Sequence, residues 1–263
     1  MLKKILKYDL KNAFKGLIIF YSLSLFFAIL TRLFLNSENS FIMNIIGQIC
    51  TGATIAMVFN ILINNIIRFW AKFKQVLYGD ESYLTHTLPI KKKTLYLSKM
   101  ITAIITLFTS IIVIALTLFI AYYSKETIEI IKNLLLPFAD IYGNDIIPIL
   151  LALFFILFLE FANILQIGFT GIILGHKMNN SKTGYSILFG FIVYMISQTI
   201  MLLMLFIMAL FNSDIMNLFI TNEMINMDSI KTVIYASSII YSIILTVSYI
   251  VNVKLFNQGV NVD

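Results

Sequence analysis

Apolar and polar residues in this chain come in blocks. Long, nearly unbroken apolar runs cover about 17–35, 41–67, 101–123, 146–174, 186–211 and 232–253, with short polar intervals between them. A helix that crosses the ~30 Å hydrocarbon core of a bilayer needs about 20 such residues. Each run is close to that length or longer, and none alternates residue by residue as a membrane β-strand does. The pattern predicts an all-α membrane protein of six transmembrane helices, one transmembrane domain over 1–263. The second and fourth runs are long enough to tilt or to protrude.

The stretch before the first run has a different period. Leu2, Ile5, Leu6, Leu10, Ala13 and Phe14 recur at three- and four-residue spacing, with Lys3, Lys4, Lys7, Lys11 and Lys15 on the other side. That predicts an amphipathic helix over 1–16, lying in the interface with its lysines toward anionic head groups. A secretory leader fits less well, because no small-residue cleavage site follows and Arg32 interrupts the end of the first run.

Charge sets the expected orientation. With the N-terminus placed in the cytoplasm, all of the 19 basic residues fall in inner segments except Arg32, Lys125, Lys132 and Lys231. The outer segments then hold Glu38, Glu126, Glu129, Asp140, Asp145, Asp214, Glu223 and Asp228. Inner loops of membrane proteins are rich in Lys and Arg, so both termini are expected in the cytoplasm. The outer segments 124–145 and 212–231 mix apolar and polar residues and are too short to be domains.

Composition agrees with this class. Hydrophobic residues make up 60% of the chain, charged residues 12%, and the mean hydropathy is +0.93. A soluble domain carries about 25% charged residues, so this chain lacks the polar surface for one. The net charge of +6 is explained by the inner loops and implies no nucleic-acid partner. The single cysteine, Cys50, lies in an apolar run and excludes a disulfide within the chain. His86 and His176 lie in separate loops, which excludes the paired-histidine spacing of a zinc protease. No Gly-x-Ser-x-Gly is present, and the segment GHKMNNSKTG has His176 and Ser181 where a phosphate-binding loop needs glycine. If the protein uses ATP, another polypeptide binds it. No catalytic or metal site is predicted.

Two regions carry candidate function. The first is a polar stripe in the fourth run, Glu160, Asn163, Gln166 and Thr170, which shares one face of a helix. It would line a translocation path or hydrogen-bond neighbouring helices together. Asn60, Asn64 and Asn65 sit near the inner end of the second run. Gly168, Gly171 and Gly175 are expected to permit close helix packing.

The second region is the loop 68–99, RFWAKFKQVLYGDESYLTHTLPIKKKTLYLSKM when read from Arg68 to Met100. The second helix should continue out of the membrane to Gly79. Asp80 or Ser82 should cap a short helix whose apolar side is Tyr83, Leu84, Thr87 and Leu88, ended by Pro89. Lys91, Lys92 and Lys93 then meet the head groups. Asp80 and Glu81 diverge by about 100° on a helix, and Glu81 and His86 are a poor same-face pair, which argues against a metal or catalytic site.

This segment resembles the loop after the second span in ABC-2 type permeases, the membrane subunits of ABC exporters. The positions that carry the resemblance are Arg68, Gly79, Asp80, Glu81, Tyr83, Leu84, Thr85, Thr87, Leu88, Pro89 and Lys99. The amphipathic start, the six spans, the inner termini and the hairpin GHKMNNSKTGYSIL fit the same family, although the specific motif spans only about thirty residues. The resemblance implies a permease that is not itself an enzyme, paired with a second permease subunit and resting on a separate ABC ATPase subunit that binds ATP and magnesium. It implies that Glu81, Tyr83, Leu84, Thr87, Leu88 and Pro89 form the coupling helix, and that 1–16 is the connecting helix. The bacterial cytoplasmic membrane is the implied location. Three alternatives stay open: an ion-coupled secondary transporter using Glu160, an intramembrane enzyme, and an immunity or sensor protein that only binds a partner.

Overall fold

A computed structural model describes residues 2–35, 41–87, 89–139, 146–220 and 227–258. These residues form nine helices and no strand: α1 Leu2–Leu35, α2 Phe41–Leu77, α3 Ser82–Thr87, α4 Lys92–Tyr122, α5 Lys125–Ala139, α6 Ile146–Gly175, α7 Lys182–Phe211, α8 Ser213–Ile220 and α9 Met227–Asn257. Six of them, α1, α2, α4, α6, α7 and α9, are long and apolar enough to cross a membrane. They correspond to the six apolar runs, and this is the architecture of a multi-pass helical membrane protein.

One length differs from expectation. The surface helix predicted for 1–16 is not a separate element, because α1 runs unbroken from Leu2 through the first apolar run. At 34 residues α1 is about 51 Å long, well beyond the ~30 Å apolar core. The second helix does continue past its apolar run, to Leu77, as expected.

The chain divides into two compact units, 1–129 and 130–263, with the division inside α5. In the first unit α1 packs on both α2 and α4. Leu17, Tyr21 and Ile61 form its centre, with Phe14, Phe20, Val113 and Ile114 against them. Many of the other buried positions along the long helices are small or polar. Ser24, Thr31, Thr54, Asn65, Ser98, Thr106, Ser110 and Thr117 are fully buried, whereas Ile18, Phe26, Phe41, Phe59 and Phe119 are exposed. This reverses the order of a soluble core and suits a lipid solvent, in which large aliphatic side chains lose nothing by facing outward.

Hydrogen bonds join these hydroxyls across helices. The Tyr21 and Ser110 hydroxyls pair at 2.7 Å, and the Asn65 amide donates to Ser110 at 2.6 Å. Thr31 meets Thr54 at 2.9 Å, and Ser24 meets Thr117 at 3.2 Å. Such contacts contribute about 0.6 kcal/mol each on average in membrane helices.

The second unit is built on α6, which packs against α7 and α9. Gly171 and Gly175 of α6 face Ser186 and Gly190 of α7 at backbone distance. A Cβ on Gly171 would lie 2.6 Å from the Ser186 carbonyl oxygen and 2.7 Å from the Gly190 nitrogen, and one on Gly175 would overlap Ser186. Both helices thus present small residues four apart, which lets the backbones meet. The turn before α7 places Ser181 in left-handed backbone, φ 47°. Two of the shorter helices, α5 and α8, start at side-chain caps. Ser124 Oγ accepts from the Thr127 N–H at 3.0 Å for α5, and Asn212 Oδ1 accepts from the Asp214 N–H at 2.9 Å for α8.

The glycine contact gives a direct test. Gly171→Ala is expected to destabilise the second unit by about 1–3 kcal/mol through overpacking. Gly190→Ala, whose Cβ would meet nothing within 4 Å, is expected to be neutral or mildly stabilising. Thermal unfolding of the two variants in detergent distinguishes them, and equal behaviour would contradict the packing.

Candidate functional site

The loop 68–99 is a built structure with its own small core. Phe73, Val76, Leu77, Tyr78, Leu95 and Tyr96 are all buried. Phe73 meets the Tyr96 ring edge-on at 6.0 Å and lies 6.5 Å from Tyr78. Burial, with a smaller contribution from Tyr96, raises the Tyr78 phenol far above its ordinary value and keeps it protonated. This cluster clamps the end of α2 to the start of α4, so the intervening turn is held at both ends.

Gly79 ends α2, although not by the left-handed cap that glycine usually supplies. Its N–H donates to the Lys74 carbonyl at 3.1 Å, and a Cβ there would lie 3.2 Å from the Gln75 carbonyl oxygen. A side chain at this position would press on the last turn of α2. The predicted cap is also displaced. Ser82 is the first residue inside α3, and its hydroxyl is buried with no hydrogen-bond partner among the described residues. The Glu81 carbonyl takes the first helical bond, accepting from the Thr85 N–H at 3.1 Å and from the Thr85 hydroxyl at 2.9 Å.

Two contacts dock α3 on α2. His86 Nε2 lies 3.0 Å from the Leu77 carbonyl oxygen, one of the carbonyls that a helix end leaves unsatisfied. Lys72 pairs with Glu81 at 2.7 Å, with both side chains about two-fifths exposed. An exposed pair of this kind contributes at most about 1 kcal/mol, so it sets the position of α3 more than its stability. His86 therefore joins two helices, and among the described residues no three His, Cys, Asp or Glu side chains gather as a metal site would require.

The face of α3 turned away from the protein is the notable one. Ser82 is buried and Thr85 and His86 are half-buried, while Tyr83 is 68% and Leu84 76% exposed. Thr87 and Pro89 are exposed beside them. Glu81 sits at the edge of this surface. Leu88 lies outside the described residues. The predicted apolar side of the short helix thus exists, and it points outward.

The base of the loop is anchored by an ion pair. Lys99 Nζ lies 2.6 Å from Asp9 Oδ1, and Ser98 Oγ donates to Asp9 Oδ2 at 2.9 Å. The two charged side chains are only 12% and 10% exposed. Asp9 is the one acid among the lysines at the start of α1, a signal visible in the sequence that the amphipathic pattern hid. Arg68 makes a second tie: its guanidinium lies over the Phe20 ring at 5.5 Å, in space that a side chain on Gly16 would occupy.

The polar stripe of α6 is split by the fold. Asn163 and Gln166 are buried, whereas Glu160 is exposed. The Asn163 amide donates to the Tyr241 carbonyl of α9 at 3.2 Å and to Leu159 at 3.0 Å, which makes it an interhelical tie. Gln166 Nε2 has no hydrogen-bond partner among the described residues. Glu160 stands apart from both, on an exposed face of α6.

No family model, no curated protein and no solved structure matches this chain.

The ion pair at the base of the loop can be tested by a double-mutant cycle. Lys99→Met should cost about 3–5 kcal/mol, because it strands a buried carboxylate. Adding Asp9→Asn should recover most of that loss in thermal unfolding. A double variant as unstable as the sum of the singles would contradict the pairing.

Proposed function

We propose that this chain is the membrane subunit of an ATP-driven exporter of the ABC-2 permease type, coupled through α3 to a separate ATPase chain. The observation that supports it most is the outward apolar face of α3. A short helix at the end of two long apolar helices turns its polar residues toward the protein and Tyr83 and Leu84 away from it. In the orientation expected from the basic loops, that face is in the cytoplasm. Two exposed large apolar side chains beside an anchored carboxylate are suited to a groove on another protein.

The supports of α3 bear on the mechanism. The aromatic cluster around Phe73 and Tyr96 ties α2, on which α3 docks, to α4, and the Asp9–Lys99 pair adds α1. A push on α3 would reach all three apolar helices of the first unit together. ATP and magnesium would be bound by the partner chain, and the movement of the ATPase would be delivered through this linkage. A second permease subunit, identical or sister, would complete the transporter in a bacterial cytoplasmic membrane. Glu81, Tyr83, Leu84, Thr87, Leu88 and Pro89 are the docking residues in this reading.

The test is copurification of an ABC-type ATPase with the tagged chain. Leu84→Asp and Glu81→Lys are expected to reduce the ATPase recovered at least tenfold while the chain still inserts in the membrane. Recovery of the ATPase unchanged in both variants, or its absence from the parent, would overturn the reading.

A further inference from the structure

Two apolar runs end at one level of the first unit. The run in α1 begins at Leu17, and the run in α2 ends at Ile67. These helices pack antiparallel, with Thr31 against Thr54 and Leu35 against Gly47. The same register brings Gly16 opposite Arg68, whose guanidinium fills the space of the missing Gly16 side chain. Two separate stretches of sequence thus place the hydrocarbon boundary at a single contact.

Arg68 is held at this level without being neutralised. Its guanidinium lies over the Phe20 ring at 5.5 Å. Asn12, Gly16 and Phe20 are four apart and stack along one side of α1, with Phe20 toward the apolar layer and Asn12 toward water. Lys15 adjoins Gly16, and Arg68, Asn12 and Lys15 are all exposed. Lys72, one turn further along α2, already has Glu81. Among the described residues no carboxylate pairs with Arg68 or Lys15.

The ligand that fits is set by depth and shape. A guanidinium is a planar fork that matches a phosphate with two hydrogen bonds. At the edge of the hydrocarbon the phosphates are those of lipids. The second cation, Lys15, favours a head group with net negative charge over one that carries its own ammonium. Ile19 and Leu23 follow Lys15 at four-residue steps and are exposed, which gives an acyl chain an apolar wall below the charges. In the orientation expected from the basic loops, this is the cytoplasmic leaflet.

We propose that Arg68, with Lys15 and Asn12, binds the phosphodiester of one anionic phospholipid. The lysines nearer the start of α1 have no part in it. Because α1 is one continuous helix, Lys4 lies about 16 Å further along it than Lys15. That is beyond a head-group layer of about 5–8 Å. The site does not rest on the reading of the chain as a transport subunit.

The test is native mass spectrometry of the purified chain in detergent, titrated with phosphatidylglycerol or phosphatidylcholine. The parent is expected to retain one phosphatidylglycerol, with about tenfold preference over phosphatidylcholine. Arg68→Gln and Lys15→Gln should each lose most of that preference. Lys4→Gln, which removes the same charge beyond the head groups, should keep it. Millimolar inorganic phosphate should leave the lipid bound. Equal binding of the two lipids by the parent, an equal loss in Lys4→Gln, or displacement by inorganic phosphate overturns the proposal. If Arg68→Gln does not accumulate, the two lysine variants decide. Loss of preference in Lys15→Gln alone supports the site, and any other pattern overturns it.

Discussion

The structure depends on one constraint: in a lipid solvent, burying a Leu or Phe between helices gives little driving force, because the lipid tails are as apolar as the side chains. Association then needs backbones that approach closely and polar groups that pair across helices. The first unit uses the second means, with Tyr21, Asn65 and Ser110 meeting at its centre. The second unit uses the first, with Gly171 and Gly175 of α6 against Ser186 and Gly190 of α7. Phe26, Phe41, Phe59 and Phe119 face outward for the same reason.

The constraint changes where the helices leave the apolar layer. Around Phe73, Leu77, Tyr78 and Tyr96 the order of a water-soluble core returns, with aromatic residues inside. Against that background the exposure of Tyr83 and Leu84 stands out. They sit on a helix fixed by His86, by the Lys72–Glu81 pair and, through α4, by the Asp9–Lys99 pair. A surface that is both apolar and rigid, at the end of a water-side loop, is suited to receive another protein.

Most of the architecture was legible in the sequence, because a run of about 20 apolar residues has few other solutions. The short helix between Gly79 and Pro89 was legible too, from its punctuation. What periodicity could not show was continuity and pairing. Nothing at Gly16 stops a helix, so the amphipathic start and the first apolar run became one element. Asp9 lies among the lysines at the start of α1, and only the fold brings it to Ser98 and Lys99, about ninety residues away. The stripe from Glu160 to Thr170 read as one face, yet α9 covers Asn163 and leaves Glu160 outside. Helical spacing gives the angle of a side chain on its own helix and says nothing of where the neighbours stand.

The central claim is that the outward face of α3 is a water-exposed docking surface on the cytoplasmic side. The most direct test is labelling of a Leu84→Cys chain, with Cys50 replaced by alanine, using a membrane-impermeant maleimide on oriented vesicles. The account predicts rapid labelling in inside-out vesicles, none in right-side-out vesicles, and protection when the copurifying ATPase is bound. Labelling from the outer side, or from neither side in vesicles stripped of ATPase, would contradict it.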